Sequence, residues 1–359
     1  MNIRLIGVAL LFAALEASAQ DVYQVLRASG DGFEQVTPGR ALSFPEDHLA
    51  HPEFRIEWWY LTANLTDDQG RDYGMHWTLF RQSMRPDGAT EGWSSNQVWM
   101  AHASITTPEG HVFEERFARG GIGQAGVSNQ NEPFNAWLDD WQWQAEGLEP
   151  LPATVDFSIG EQALNLRLDA STPWVLQGDR GYSQKSASGQ ASYYYSQPHI
   201  QVEADYTNDQ GDVIALSGVG WMDREWSSQP LAPDQLGWDW FSLHLDDGHA
   251  LMVYRLRRED GNHDLSGSWV TPEGTSTSLG ADQIGIQAAA PVSLKLGNAR
   301  DVTLPLTWRI ALPEKSLSWE VEAIYPNQWL DTQFPYWEGP VRVSGSTGGI
   351  GYMELTGYE

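Results

Sequence analysis

The sequence predicts an all-β protein built from two similar halves, each an antiparallel β-sandwich or β-barrel. Three observations support this prediction. Short runs of alternating apolar and polar residues recur along the chain, separated by turns rich in Gly, Asp and Pro. No segment shows the sustained 3.6-residue periodicity of a long amphipathic helix. Finally, a tryptophan-rich pattern near the start of the chain returns in its second half.

The first tryptophan-rich segment is typical of a β-hairpin. Two runs of aromatic and β-branched residues, 57–65 and 73–81, flank a polar Asp-Asp-Gln-Gly turn. Gly70 ends this turn and can adopt the positive φ that a chain reversal requires. We therefore expect these two runs to pair as neighbouring antiparallel strands.

A second hairpin of the same kind is predicted over residues 238–257. With an offset of 180 residues, Trp58 corresponds to Trp238 and Tyr60 to Trp240. The second run of the hairpin matches only after a shift of four residues, because its turn is shorter. The pattern favours two related halves. The alternative is chance similarity between two tryptophan-rich hairpins.

The first half is predicted to begin with an irregular arm and to continue as a meander of strands. Residues 20–55 contain Pro38, Pro45 and Pro52, which favour an extended arm or an edge strand. The glycine-rich residues 120–130 and the polar residues 181–189 are predicted to form loops. The predicted strands of this half are 56–65, 73–83, 97–106, 111–117, 135–145, 154–159, 163–169, 198–206 and 213–222.

The second half is predicted to contain strands of similar length. They cover residues 237–245, 250–257, 267–271, 292–296, 304–310, 317–324, 340–344 and 349–355. About 340 residues exceed what one core usually serves, so two domains are expected. We place their boundary between residues 200 and 236, with an N-terminal domain over 20–215 and a C-terminal domain over 216–359.

Residues 1–19 are predicted to be a secretory signal peptide. Arg4 lies in a short positive segment, residues 5–15 are apolar, and Ala17-Ser18-Ala19 is a small-residue cleavage site. No later stretch has the roughly 20 apolar residues of a membrane-spanning helix. The expected mature protein is exported, periplasmic or secreted, and its oligomeric state is not defined by the sequence. It contains no cysteine, so a packed core rather than disulfides must stabilise it.

The composition restricts the partners of the protein. A formal charge of −27 argues against nucleic acids and anionic lipid surfaces, because both require a basic binding surface. The 18 tryptophans suit either an aromatic core, which is the commoner use, or a wall that holds an apolar or sugar ligand.

The most suggestive chemical motif is the acidic pair in Trp221-Met222-Asp223-Arg224-Glu225-Trp226. On a strand, Asp223 and Glu225 share a face with Trp221, whereas Arg224 and Trp226 share the opposite face. Two carboxylates about 6–7 Å apart can divide into acid and base if burial raises the pKa of one of them. The alternatives are a solvated acidic face or a structural arginine–carboxylate pair at a domain boundary.

Several other chemistries lack their usual motifs. The histidines show no spacing typical of metal ligands, so we expect no metal. His76 and His102 lie in predicted strands and can project into a cavity, although histidines that simply complete a core are more common. The sequence contains no nucleophile elbow of a serine hydrolase and no phosphate-binding glycine loop, so we expect no nucleotide cofactor.

Several motifs together resemble the lipocalin-like family named after carotenoid 1,2-hydratase, including its bacterial attachment-protein branch, whose members are often described as predicted secreted hydrolases. The motifs extend over nearly the whole mature chain. They are Phe44-Pro45-Glu46-Asp47-His48-Leu49-Ala50-His51-Pro52, Glu57-Trp58-Trp59-Tyr60, Phe80-Arg81, Ala101-His102-Ala103, Gly181-Tyr182-Ser183-Gln184-Lys185, Tyr193-Tyr194-Tyr195-Ser196 and Asp223-Arg224-Glu225-Trp226.

The resemblance implies two lipocalin-like antiparallel β-barrels in tandem, with a small hydrophobic molecule held inside a barrel or between the two. Aromatic walls suit an isoprenoid or an acyl chain. The candidate ligand-binding residues are Trp58, Tyr60, His76, His102, Tyr194, Trp221, Arg224, Trp238, Trp240 and Tyr254.

The resemblance also implies a hydratase-like activity, with one departure. In the carotenoid hydratases a His-Asn-Trp stretch is thought to help protonate an alkene, and the matching positions here are Arg224, Glu225 and Trp226. Arginine stays protonated and cannot be the proton donor. Asp223 or Glu225 is the expected substitute acid, so the candidate catalytic residues are Asp223, Glu225 and Trp226.

Two other functions are compatible with the sequence. One is a lipid carrier that releases its ligand unchanged. The other is a secreted protein that binds or hydrolyses carbohydrates, because tryptophan platforms and acidic pairs serve those purposes as well. That second function requires tryptophans that lie flat along an open groove.

Overall fold

The structure, a computed structural model, describes residues 24–87, 92–296 and 301–358. Almost all of its regular structure is β. A four-residue helix, α1 (Gln24–Arg27), precedes the first strand. Short 3-10 helices cover Glu46–His48, Gly92–Ser94, Ala281–Gln283 and Pro313–Lys315. The all-β prediction is confirmed, whereas the predicted signal peptide lies outside the described residues.

The first sheet contains 13 antiparallel strands. They are β1 (Ile56–Thr66), β2 (Asp72–Ser83), β3 (Gln97–Thr107), β4 (Gly110–Arg119), β5 (Ala125–Val127), β6 (Asn135–Leu138), β7 (Trp141–Ala145), β8 (Ala153–Ile159), β9 (Gln162–Asp169), β10 (Val175–Leu176), β11 (Tyr182–Gln184), β12 (Ala191–Thr207) and β13 (Val213–Ser227).

Eleven of these strands form a nearly closed barrel. Their order is β4-β3-β2-β1-β13-β12-β9-β8-β7-β6-β5, and β10 and β11 add to β12. Strands β4 and β6, from opposite ends of this order, contact each other. Two of the strands, β5 and β11, lie in segments predicted to be loops, because pairing with a neighbouring strand outweighs their weak strand propensity.

The barrel interior is filled by side chains. Strand β1 alternates, so that Trp59 and Leu61 point inward while Trp58 and Tyr60 point outward. Large indoles that occupy the interior with no exposed surface are Trp59, Trp77, Trp141 and Trp143. The irregular segment before β1 packs on this core through Leu42 and other apolar residues. Most of the tryptophans are therefore core residues.

The second sheet contains ten strands and curves into a half-barrel. The strands of the second half are β14 (Gln235–Leu245), β15 (Ala250–Arg258), β16 (His263–Val270), β17 (Ser276–Leu279), β18 (Gly285–Ala288), β19 (Val292–Lys295), β20 (Asp301–Leu304), β21 (Thr307–Leu312), β22 (Leu317–Ala323), β23 (Trp329–Leu330), β24 (Tyr336–Gly345) and β25 (Gly349–Thr356). Of these, β19 and β20 pair only with each other.

The two sheets share a common strand order around their first hairpins. Strand β1 lies between β2 and β13, and β14 lies in the same way between β15 and β25. The hairpins that the sequence pattern relates are therefore equivalent in position. The change from one sheet to the other comes between Ser227 and Gln235, whereas the division predicted at 215/216 falls inside β13.

The outer face of the barrel packs against the second sheet. The contact involves β1, β2, β12 and β13 on one side and β14, β15, β24 and β25 on the other. Tyr60 and Trp240, which correspond in the two hairpins, meet here with ring centroids 5.3 Å apart. Among the described residues, no helix has the length and apolar character needed to cross a membrane.

Candidate functional site

Strand β13 presents alternate side chains to two different environments. Trp221, Asp223 and Glu225 face the second sheet, whereas Arg224 and Trp226 face the barrel interior. This is the alternation that the sequence predicts for a strand. The acidic pair therefore lies between the two sheets, in the region that we call the interface site.

Asp223 is a buried carboxyl surrounded by hydrogen-bond donors. The Tyr194 hydroxyl donates to it at 2.7 Å, the Trp221 indole at 2.7 Å and the Ser196 hydroxyl at 2.5 Å. Burial raises the pKa of Asp223 to about 7, and the charge of Glu225 adds to this effect while the three hydrogen bonds oppose it. At neutral pH the carboxyl can therefore give up or take up a proton.

Glu225 has a different environment. Its carboxylate lies 2.9 Å from the Lys185 ammonium and accepts a hydrogen bond from Ser192. The ammonium lies over the rings of Tyr194 and Tyr254, 4.9 and 4.4 Å from their centroids. Because Glu225 is held in a buried ion pair, Asp223 is the better candidate for the acid.

Lys185 belongs to a strap, residues 177–190, that runs from the barrel across to the second sheet. The hydroxyls of Ser183 and Tyr254 are 3.1 Å apart, and the Gln235 amide donates to the Lys185 carbonyl at 2.8 Å. These contacts fix the strap across one end of the interface site. They also explain why a segment that the sequence predicts to be a polar loop is partly buried, with Ser183, Lys185 and Ser186 inside.

The second sheet contributes a buried carboxyl that sequence analysis missed. Glu338 is 1% exposed, accepts a hydrogen bond from Tyr60 at 2.5 Å and lies 3.3 Å from His76 Nε2. Burial raises the pKa of Glu338 well above its usual value, and the charge of Glu354 raises it further. Its surroundings therefore favour the protonated form of Glu338.

Glu354 is the second missed carboxyl. It is half-buried and accepts a hydrogen bond from the Trp238 side chain. Burial raises the pKa of Glu354 to about 7, and the charge of Asp223 contributes to this increase. Glu354 is the cross-strand neighbour of Trp240, just as Asp223 is the neighbour of Tyr60. Only the pairing of strands shows this relation, because the two carboxyls do not share the 180-residue offset of the hairpins.

The two predicted histidines lie along the same face of the barrel. His76 Nε2 is 2.6 Å from the Thr78 hydroxyl, and burial holds the pKa of His76 well below its usual value. His102 contacts the Tyr336 hydroxyl at 2.8 Å and Glu115 at 3.0 Å. Burial also lowers the pKa of His102, so both rings are neutral at neutral pH.

Aromatic rings line the space around Asp223. Trp221 and Trp240 contact each other edge to face at 6.2 Å, and the Trp240 indole donates to the Tyr194 hydroxyl at 3.3 Å. Trp58 and Trp238 are only partly buried and form the rim of the apolar cluster. The structure thus brings most of the predicted ligand-binding residues together between the sheets. They are Trp58, Tyr60, His76, Tyr194, Trp221, Trp238, Trp240 and Tyr254.

Arg224 and Trp226, a predicted ligand-binding and a predicted catalytic residue, lie on the other face of β13, away from this group. Arg224 lies inside the barrel, where it pairs with Glu57 and stacks 3.9 Å from the Trp59 ring centroid. Trp226 stacks on His51 with 4.1 Å between centroids. The resemblance placed both in the site, but strand alternation directs them to the opposite face from Asp223.

The tryptophans do not form an exposed platform. Trp93 is the only one of them, among the described residues, that is largely exposed to solvent, with 76% of its surface accessible. The others are buried or partly buried. This arrangement does not support the carbohydrate-binding alternative, which requires indole faces along an open groove. Within the described parts of the chain, no group of three or more acidic or histidine side chains is placed to hold a metal ion.

Comparisons with known proteins agree with this architecture. A profile of the AttH-like family matches residues 35–358. A search of curated protein sequences found no match. The crystal structure of a candidate AttH from Nitrosomonas europaea is 33% identical to this chain with a TM-score of 0.79, and the alignment covers 91% of this chain and 100% of that one.

Two more distant structures share the fold. Kievitone hydratase from Nectria haematococca is 14% identical with a TM-score of 0.66, over 90% of this chain and 96% of that one. CghA, solved with Sch210972, is 12% identical with a TM-score of 0.50, over 84% of this chain and 88% of that one. At these identities the likeness concerns the fold alone.

Proposed function

The chain belongs to the AttH-like family, and we propose that it binds a small, elongated apolar molecule between its two sheets and transfers a proton to it from Asp223. The ligand is an isoprenoid or lipid with a carbon–carbon double bond. Protonation leads to hydration or isomerisation of this bond. A protein named as a hydratase shares the fold, which supports the proposal without identifying the substrate.

The environment of Asp223 carries this proposal. A general acid works best when its pKa is close to the working pH, and burial gives Asp223 a pKa of about 7. The surrounding rings and the Tyr194 hydroxyl form a buried, largely apolar environment around Asp223, on the face of β13 that packs against the second sheet. At this position an apolar ligand could take the proton of Asp223 without competition from solvent water.

The proposed reaction begins when the O–H bond of Asp223 breaks and a C–H bond forms at one alkene carbon. The neighbouring carbon becomes a carbocation, which the faces of Tyr60 and Trp240 stabilise. In hydration, the oxygen of a water adds to this cation and the water loses a proton to a carboxylate. In isomerisation, the cation loses a proton from an adjacent carbon instead. The acid is restored in both cases.

Glu225 and Lys185 are proposed to position the site rather than to transfer protons. The Glu225 carboxylate neutralises the Lys185 ammonium. This pairing matters because an unpaired ammonium would destabilise the proposed carbocation nearby. It also fixes the strap against β13. Loss of either charge would leave the other buried and unpaired.

The first experiment is mass spectrometry of an organic extract from residues 20–359, expressed in the native host compartment. The second uses farnesol as a defined alkene probe in D₂O, with deuterium incorporation as the measure of protonation. We expect incorporation by the wild-type protein and a loss of about a hundredfold or more in Asp223→Asn. Asp205→Asn, which changes an exposed carboxylate on β12, is the matched control and should remain active.

The outcomes separate an enzyme from a carrier. Equal deuterium incorporation in wild type and Asp223→Asn would disprove the role of Asp223. Stoichiometric binding without incorporation by wild type would support the lipid carrier instead. We also propose that the protein works after export, because residues 1–19 have the pattern of a signal peptide. Retention of the protein in the cytoplasmic fraction would disprove that location.

A further inference from the structure

One part of the interface site contains buried polar atoms that no described residue satisfies. These atoms are His76 Nδ1, Ser104 Oγ, Ser242 Oγ and Tyr352 Oη. Each of the four side chains is 1% exposed. Buried polar groups in native proteins nearly always have a hydrogen-bond partner, and the missing partner is commonly a bound molecule or water.

The four atoms belong to one region rather than to scattered defects. His76 and Ser104 are cross-strand neighbours on β2 and β3, and Ser242 and Tyr352 are neighbours on β14 and β25. The Tyr352 hydroxyl lies over Gly74, where an added Cβ would be 2.6 Å from it. Since Gly74 and His76 are on the same face of β2, the two rows meet across the interface.

Glu338 joins the two rows. Its carboxyl lies 3.3 Å from His76 Nε2. Burial raises the pKa of the Tyr352 hydroxyl well above its usual value, and Glu338 raises it further. Tyr60 donates to the other oxygen of Glu338 and also contacts Trp240 in the acid half of the site. The unsatisfied atoms are therefore connected to the proposed acid through a single tyrosine.

The charge of this region restricts its occupant. Glu338 forms the ion-pair contact of His76. Glu354 is the cross-strand neighbour of Glu338. The ammonium of Lys185 is committed to Glu225 at the strap. A carboxylate or phosphate would face two carboxyls with no free cation among the described residues of this region, so an anionic group is disfavoured. A neutral oxygen can both accept from Tyr352 or Ser104 and donate to His76.

We propose that His76, Ser104, Ser242, Tyr352 and Glu338 form a polar subsite for a neutral oxygen, an alcohol or phenol hydroxyl, at one end of the apolar ligand. This rests on the proposed function, because it assumes that the ligand lies between the sheets with its double bond near Asp223. The ligand class is then an oxygenated isoprenoid or similar alcohol, rather than a pure hydrocarbon or a fatty acid.

The experiment compares three probes that differ at one end only: farnesol, farnesene and farnesoic acid. Binding to the full mature chain is measured by quenching of tryptophan fluorescence and by the shift of Tm. We expect farnesol to bind at least about tenfold more tightly than either other probe, because only the hydroxyl satisfies the buried groups without adding charge.

Two matched tyrosine variants separate a binding role from a structural role. Tyr352→Phe removes a hydroxyl without a partner in the unliganded protein, so its Tm should be unchanged or higher. Its affinity for farnesol should fall about three- to tenfold, with no change for farnesene. Tyr206→Phe removes a hydroxyl that donates to Gln162 at 2.8 Å away from the interface, and should lower Tm without changing either affinity.

Each result decides between the claims. Farnesene binding as tightly as farnesol, unaffected by Tyr352→Phe, would overturn the polar subsite and leave the apolar site standing. Preferential binding of farnesoic acid would overturn the argument from charge. Failure of all three probes to bind would count against both the subsite and the proposed function. The same loss of farnesol affinity in Ser104→Ala and in Tyr352→Phe would support the subsite.

Discussion

Asp223 combines two properties that oppose each other energetically. Three donors hold the carboxyl in place, yet its burial makes the charged form costly. The pKa rises from its usual value of 3.8 to about 7, so the folded protein holds this proton at a pH where the unfolded chain has lost it. A residue with this property weakens the fold at neutral and alkaline pH.

The pH dependence of stability can test this residue. The stabilisation that the raised pKa of Asp223 gives to the folded state is fully present below about pH 4. It is lost as the pH rises through 7, which lowers the free energy of unfolding by up to about 4 kcal/mol. Asparagine cannot lose a proton, so Asp223→Asn should remove this dependence. We expect the unfolding free energy of wild type, relative to the variant, to fall between pH 5 and pH 8 in urea titrations.

The comparison with the variant is needed because other groups titrate in the same range. Buried histidines with lowered pKa values, such as His76 and His102, weaken the fold as the pH falls. Their pKa shifts do not involve Asp223, so their effect cancels in the difference. The titration of Glu354, whose pKa the charge of Asp223 helps to raise, changes with Asp223 and belongs to the expected difference. A wild-type curve that runs parallel to the variant curve would contradict the raised pKa. Asp205→Asn should follow the wild-type curve, since its carboxylate is exposed.

The sequence allowed half of this site to be predicted. Asp223 and Glu225 share a face because of the two-residue period of a strand, and that period is visible in the chain. Glu338 and Glu354 have no such local signal. They join the site only because the second sheet docks on the barrel, more than 100 residues later in the chain. Docking of this kind has no periodicity that a single sequence reveals.

Strand β13 joins the interface site to the barrel interior through its alternation. Between Asp223 and Glu225, Arg224 points the other way and pairs with Glu57, which in turn pairs with Arg81. The neighbouring arginines hold the pKa of Glu57 well below its usual value despite its complete burial. These buried charges depend on each other. A slip of β13 by one residue would turn Asp223 and Glu225 into the barrel and Arg224 toward the second sheet, away from their partners.

Arg224→Gln should therefore destabilise the fold strongly. Removing one partner of a buried ion pair typically costs about 3–5 kcal/mol. Glu57 would keep Arg81 but lose Arg224, and the Trp59 ring would lose the guanidinium stacked on it. Arg167→Gln is the control, since Arg167 forms only exposed pairs that contribute about 1 kcal/mol or less. Denaturant unfolding measures both. A cost for Arg224→Gln no larger than the control would contradict the structural role of the network.

Element boundaries follow the turn signals where turns are tight. The β1–β2 hairpin and its glycine turn lie close to their predicted positions, because Asp67 and Gly70 determine the reversal locally. The change of sheet between Ser227 and Gln235 lies within the predicted range of 200–236, but the division placed at 215/216 falls inside β13. Strand β13 continues through this point without a turn signal, and its pairing with β1 and β12 keeps it in the first sheet.

Polar contacts along the whole closely packed face hold the two sheets together, from Tyr60 and Glu338 to Asn64 near the β1–β2 turn. Asn64 donates to the Gly351 carbonyl at 2.8 Å, and Arg342 pairs with Asp72 at 2.6 Å. Between them, Gly74 allows the backbone of β2 to approach the second sheet. The interface is thus a place where one added methyl group has a large effect.

Gly74→Ala should loosen the docking of the sheets. The new Cβ would lie 2.6 Å from the Tyr352 hydroxyl and 3.1 Å from Pro340, so the sheets must shift at a cost of about 1–3 kcal/mol. Gly110→Ala is a matched control, because open space surrounds that position. The free energy of unfolding in urea and the affinity for farnesol should both fall in Gly74→Ala and stay unchanged in the control. Equal behaviour of the two variants would contradict close packing at this point.

The equivalent positions of Asp223 and Glu354 have a consequence for how a ligand is oriented. If the two halves were identical subunits, a molecule between them would meet the same groups at both ends and could bind in either direction. Joined in one chain, the halves differ: Asp223 has three hydrogen-bond donors around it, and Glu354 has the Trp238 side chain. The site therefore has a polarity of its own, so that head and tail of a bound molecule are distinguished and the reaction can be confined to one end.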